Sequence, residues 1–174
     1  SGTYSRVYPS LGGSRLTPAQ EEIDAIGPGI SKRDWDRRFM LVYSRAKDED
    51  VAAAIGVAPV LLSFARFVKK RLGRLPMEIW DAQAIFATSV RKIPIRYAPL
   101  FRKYFGAPTV EIYSATEGVF AQQLDDLPYV TPNYDKFLFE VDTHGGFKML
   151  HELWRGEWGR LIVSTCMFPR YDIG

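Results

Sequence analysis

Thr109-Val110-Glu111-Ile112-Tyr113-Ser114-Ala115-Thr116-Glu117-Gly118 decides the fold. β-Branched residues alternate with other types over 109–113, which predicts a strand. Tyr113 to Gly118 then put an aromatic ring, hydroxyls and a carboxylate on one short turn, and Gly118 allows backbone geometry that a side chain would forbid. In an α/β sheet, a loop at the carboxyl end of a strand is where ligands usually sit.

Working upstream, residues 84–87 form a short apolar strand running into Thr88-Ser89, and 94–104 a helix that ends at Gly106 as a left-handed cap. Residues 51–55 read as a short buried strand, although their alanines suit a helix equally, and 59–72 read as a helix. Strand, helix and strand in this order are a βαβ signature with parallel pairing. Nearer the start, Thr17-Pro18-Ala19-Gln20 predicts a helix with Thr17 as N-cap, Pro18 at the first helical position and Gln20 completing a capping box. That helix should stop near Gly27-Pro28-Gly29, and a further helix or strand–helix unit covers 37–43.

Downstream of Gly118 the texture changes. Residues 119–124, 137–141, 147–150 and 160–165 look like strands separated by turn-forming stretches, an antiparallel meander or distorted barrel. The expected fold class is therefore α/β, with mixed sheets and flanking helices and a β-rich C-terminal third. Residues 1–118 form the α/β part and 119–174 the β-rich part.

Composition narrows the function. With 47% hydrophobic and 14% aromatic residues in 174, the chain can bury a core within the span of one domain, which excludes disordered and collagen-like classes. The net charge of +3 comes from 23 basic and 20 acidic residues spread along the chain, which argues against nucleic acid. The run Lys69, Lys70, Arg71 and Arg74 ends an apolar segment and complements a helix dipole; a phosphate patch is the other reading. A lone cysteine, Cys166, excludes an internal disulfide framework and fits a reducing, cytoplasmic setting; beside Met167 it reads as a small buried hydrophobe. Residues 51–68 are the one membrane-span candidate, broken by Gly56, Pro59, Ser63 and Arg66. Trp35, Trp80, Trp154 and Trp158 are expected in core or rim packing, and His144-Gly145-Gly146 suits a hairpin turn.

Three segments carry chemistry together. Ser1-Gly2-Thr3-Tyr4-Ser5 is small and hydroxyl-rich, the kind of stretch whose N–H groups wrap phosphate oxygens. Tyr113 to Gly118 is the second, and Phe168-Pro169-Arg170-Tyr171-Asp172-Ile173-Gly174, after the strand at 160–165, is the third. In this order they resemble the acyl-adenylate-forming (ANL) superfamily, with its Ser-Gly-Thr phosphate loop, Tyr-Gly-x-Thr-Glu segment and Tyr-Arg-x-Gly-Asp segment. Ser114 to Gly118, Pro132-Asn133-Tyr134 with Phe137-Leu138-Phe139-Glu140, and Arg170-Tyr171-x-Ile173-Gly174 look closest to the auxin-responsive Gretchen Hagen family of acyl-acid amido synthetases. Phe86-Ala87-Thr88-Ser89 and the helix ending in Tyr104-Phe105-Gly106 extend the resemblance over nearly the whole chain.

The resemblance implies part of a large ATP-binding domain, with the smaller C-terminal lid domain absent. It implies a ligase that uses ATP and Mg²⁺ to convert a carboxylic acid to an acyl-adenylate and then passes the acyl group to an amine or thiol. Ser1, Gly2, Thr3 and Ser5 would hold the triphosphate, and Thr116 would bond the α-phosphate. Glu117 would hold the metal, Tyr113 would stack on adenine, and Thr88, Ser89 and Ser114 would line the nucleotide site. Thr116 and Glu117 are thus the expected catalytic pair. The chain departs from the family where Tyr4-Ser5 replaces the usual Thr and Gly, where Ser114 replaces Gly, and where Asp172 takes the variable place in the last motif; the family's ribose-binding aspartate would follow Gly174. An acyl-CoA ligase of the phenylacetate type is the alternative within the superfamily, and a non-catalytic nucleotide-binding or interaction module is the alternative outside it. Neither a membrane nor nucleic acid is expected as partner.

Overall fold

Three strands, β1 (Ala53–Val57), β2 (Ala84–Thr88) and β3 (Thr109–Ala115), pair in parallel in the order of the chain. The computed structural model describes residues 16–115 and 118–165 together with the backbone of 171–173. Helix α1 is Gln20–Ile26, α2 is Lys32–Ala46 and α3, which links β1 to β2, is Ala58–Leu72. Two short helices, α4 (Ile93–Arg96) and α5 (Ala98–Phe105), link β2 to β3. Both crossovers advance the same way along the sheet, which sets their helices on one face. That face is the core: Leu62 and Ala65 of α3, Ile85 and Ala87 of β2, and Phe101 and Phe105 of α5 are buried together. Burying a phenylalanine as completely as Phe101 contributes about 2–3 kcal/mol.

The sheet continues past the parallel strands. Strand β4 (Gly118–Gln122) pairs antiparallel with β3, and the two-residue strand β5 (Thr131–Pro132) pairs antiparallel with β4. The expected β-rich part therefore gives its first two strands to the α/β sheet. A second sheet has the order β7-β6-β8-β9, made of β6 (Phe137–Thr143), β7 (Gly146–Met149), β8 (Arg160–Thr165) and β9 (Tyr171–Ile173). It is an antiparallel sheet rather than a barrel. Phe120 of β4 joins the two, fully buried with Phe139 and Val163, its ring 5.2 Å from that of Phe137 and nearly perpendicular to it.

Several sequence expectations shift for identifiable reasons. Helix α1 starts at Gln20, not at Pro18, because the Ala19 N–H donates to Glu22 Oε2 at 2.8 Å while the Thr17 carbonyl is taken by Arg45. Bonds from Ala19 and Arg45 hold the Glu22 carboxyl below the usual carboxylate range. The unit expected at 37–43 is a full helix, capped by Ser31, whose Oγ accepts from the Asp34 N–H at 3.1 Å. Strand β1 lies two residues later than expected and is an edge strand, not a buried one, with Ile55 72% exposed. The single helix expected at 94–104 breaks at Tyr97, because Pro99 has no N–H to offer the Ile95 carbonyl.

Gly73 ends α3 in the left-handed conformation, and Lys69, Lys70 and Arg71 occupy its last turn. Among the described residues, no helix is long and apolar enough to cross a membrane. Trp80 is buried and its indole donates to the Ala46 carbonyl at 2.7 Å, and Trp35 packs on Phe39. Trp154 and Trp158 are outside the core, at 79% and 74% exposed, and Trp158 meets the His144 ring edge-on at 5.6 Å. His144-Gly145 is the two-residue turn of the β6–β7 hairpin, closed by Thr143 Oγ1.

Candidate functional site

Strands β2 and β3 run side by side in the same direction, so Thr88 and Ser114 come to the same edge of the sheet at the strands' carboxyl ends. Their hydroxyls, Thr88 Oγ1 and Ser114 Oγ, lie 3.1 Å apart. Each can donate or accept, so the pair offers a ligand one hydroxyl proton and spare lone pairs. The chain leaves β2 through Ser89, at φ 73°, and reaches α4 through Lys92, at φ 63°. Left-handed conformations at two non-glycine residues within four positions are uncommon and cluster at functional loops.

Tyr113 stands next to Ser114, 40% exposed, its ring 6.0 Å from that of Phe120. A β-bulge between Tyr113 and Ser114 sets Phe120 as the extra residue on β4. Bulges beside binding sites re-aim side chains; here the bulge lets Phe120 turn into the core while Tyr113 keeps an accessible edge. Asn133 holds this stretch of β4 from the far side. Its side-chain amide donates to the Val119 carbonyl at 2.8 Å and its backbone N–H to the Phe120 carbonyl at 2.8 Å. Ala115 and Gly118 face each other across the end of the β3–β4 pair. A Cβ on Gly118 would approach the Phe137 ring to 3.1 Å, which gives the glycine a packing reason as well as a conformational one.

Of the expected site residues, Thr88, Ser89, Tyr113 and Ser114 gather at this edge. Ser1, Gly2, Thr3 and Ser5, with Thr116, Glu117 and Cys166, lie outside the described residues. Sequence reasoning missed two features. Lys92, left-handed in the loop after β2, had as its only signal a charged pair, Arg91-Lys92, squeezed between a strand and Pro94. Glu111, half-buried on β3, carries a carboxyl that burial pushes above the usual range. Nothing in an alternating strand pattern distinguishes it. Phe67 is core, packed on Phe39, while Phe86 lies half-buried on the sheet face opposite the helices.

The sequence matches no family model, and comparison with curated proteins gives no match. Solved structures do match. The chain shares its fold with part of acyl-CoA ligases. One is a benzoate CoA ligase from Burkholderia xenovorans LB400, at TM-score 0.53 and 13% identity, covering 73% of this chain and 25% of that one. Another is 2-hydroxyisobutyryl-CoA ligase in an open conformation in complex with 2-HIB-AMP and CoA, at TM-score 0.58 and 12% identity, covering 80% and 31%. The same ligase in the postadenylation state in complex with R3-HIB-AMP gives 0.57 and 13%, covering 80% and 28%. The chain spans between a quarter and a third of the length of these proteins. The mixed α/β architecture is thus shared with segments of these ligases.

Proposed function

We propose that this chain is part of a ligase that activates a carboxylic acid with ATP, giving an acyl-adenylate and pyrophosphate, and then transfers the acyl group to an amine or thiol. The observation that carries this reading is the Thr88–Ser114 hydroxyl pair, 3.1 Å apart beside Tyr113, in a fold shared with a ligase crystallised with an acyl-AMP. Hydroxyl donors next to a partly exposed ring fit a nucleotide, with hydrogen bonds for its polar edge and a flat apolar surface for its base.

In the first step a substrate carboxylate oxygen attacks the α-phosphorus and the bond to pyrophosphate breaks. Negative charge accumulates on phosphate oxygens, so positioned donors lower the barrier most. Ser1, Gly2, Thr3 and Ser5 are proposed to hold the triphosphate and Thr116 the α-phosphate, with Ser89 and Ser114 lining the nucleotide. The hydroxyls and the Glu117 carboxylate are hard oxygen donors of the kind Mg²⁺ takes together with phosphate oxygens and water. When bound, such an ion neutralises developing phosphate charge. Glu117 is the proposed ligand.

The acceptor divides two readings. The Gretchen Hagen resemblance favours an amino acid, whereas the structural relatives are CoA ligases, which favours the thiol of coenzyme A. Carboxylate-dependent exchange of pyrophosphate into ATP by a protein containing this chain, across a panel of acids, tests the first step. Exchange abolished by Glu117→Ala and weakened by Tyr113→Ala supports it, and ATP that does not bind at all sinks it. Product analysis with amino acids and with coenzyme A then separates the acceptors.

A further inference from the structure

Helices α2 and α3 pack side by side and leave between them an open cavity of about 420 Å³, a size within the usual range for small-molecule pockets. Its floor is apolar: Trp35 and Phe39 from α2, Val60 and Phe67 from α3. Residues 59, 63, 66, 67 and 70 of α3 recur at helical spacing, so one face of that helix lines the cavity along most of its length.

The rim is strongly cationic. Lys32, Arg66, Lys70 and Arg71 border the cavity, and Arg33 and Arg37 border the adjoining depression. The one carboxylate among them, Asp36, bonds Lys32 at 2.8 Å and Arg71 at 3.3 Å. Arg33, Arg37, Arg66 and Lys70 have no ion-pair partner among the described residues. The formal excess of the whole chain is only +3, so with six cations facing one carboxylate here the rest of the molecule is net acidic. A dipole at the end of α3 accounts for cations in its last turn, but not for Lys32 and Arg33 in the first turn of α2, where the helix dipole disfavours them.

We infer that this groove is a binding site for an amphipathic anion, a small molecule with an acyl or aryl body lying on Trp35, Phe39, Val60 and Phe67 and a phosphate or carboxylate head held by Arg66 and Lys70. Guanidinium and ammonium groups bond such heads with charge assistance, and the apolar floor supplies the area that a bare anion would not use. None of the lining residues belongs to the strand-end set around Thr88 and Ser114, so the inference stands apart from the proposed ligase reaction. A concave cavity of about 420 Å³ with an aromatic floor fits a monomeric ligand better than a flat membrane surface.

Dodecyl phosphate below its micelle concentration is the probe, titrated by calorimetry and by tryptophan fluorescence, with inorganic phosphate and phosphatidylglycerol-containing vesicles as parallel arms. Binding of dodecyl phosphate, at least about tenfold weaker in Arg66→Glu/Lys70→Glu, with a fluorescence change lost in Trp35→Phe, is the expected result. Both altered cations are exposed, and Arg102→Glu/Lys103→Glu on exposed positions of α5 makes the same change in net charge away from the groove. The inference is overturned by no binding, by equal weakening in the two charge-reversal variants, by inorganic phosphate binding as tightly as dodecyl phosphate, or by binding to vesicles alone.

Discussion

Thr88 and Ser114, 26 positions apart in sequence, touch through their hydroxyls at 3.1 Å across two parallel strands. The contact closes the carboxyl edge of the sheet beside Tyr113, and it sets the geometry of the proposed nucleotide site. Removing either hydroxyl should therefore cost ligand affinity more than folding. Thr88→Val and Ser114→Ala are each expected to weaken ATP binding several-fold in calorimetry. In a double-mutant cycle read by urea denaturation, their coupling should be about 0.5–1.5 kcal/mol, the usual net contribution of one hydrogen bond. Zero coupling would show that the contact contributes nothing to stability.

Phe120 is the joint between the two sheets, fully buried and edge-on to Phe137 at 5.2 Å. Truncation leaves a cavity that neither sheet can close without moving, so Phe120→Ala should destabilise by about 3–5 kcal/mol. A urea midpoint that falls with an unchanged slope reports this loss. A change under about 1 kcal/mol would mean that the joint is not a cooperative part of the fold.

Gly159 and Gly156 should respond differently to alanine. A Cβ on Gly159 would run into the Asp142 carbonyl oxygen and come within 2.7 Å of Val141 Cγ1, at the entry to β8. Backbone cannot step aside as a flexible side chain can, so Gly159→Ala is expected to lose about 1–3 kcal/mol or more. Gly156 has a φ of 91° but nothing within 4 Å of the added carbon, so Gly156→Ala should cost about 1 kcal/mol through conformation alone. Thermal midpoints of the two variants, compared with the parent, order them.

Glu111 gives a pH signature. Its carboxyl is raised above the ordinary 4.5 by burial, so the folded protein prefers it protonated. Stability from this group is fully present below its unfolded value near 4.5 and is lost as the pH rises through its higher folded value. Glu111→Gln should flatten that decline and leave the variant relatively more stable at neutral pH. Parallel curves of midpoint against pH for the two proteins would refute it.

Much of the scaffold was legible in the residues. The helix read over 59–72 ends at Leu72, Gly106 ends α5 in the left-handed form, and β8 runs over Arg160–Thr165 as its pattern predicts. Elsewhere distant groups overrode local preference. Arg45, 28 residues away, holds the Thr17 carbonyl at 3.0 Å, so the capping signal at Thr17-Pro18 lost to the one at Ala19 and Glu22. The two-residue strand β5 pairs because Asn133 ties its end to β4, a bond that no periodicity announces.

By itself the sequence determined the elements, because helix caps, turn residues and apolar periodicity act over a few positions. It also set Tyr113, Ser114, Thr116 and Glu117 next to one another, since these are neighbours in the chain. Only the tertiary structure decided that β4 extends the three parallel strands as an antiparallel neighbour, that Phe120 joins it to the second sheet, and that Thr88 reaches Ser114. It also brought the cations of α2 and α3 around one apolar groove. Those relationships depend on which strands pair and which helix faces meet, and these are settled by burying apolar area between segments that lie far apart along the chain.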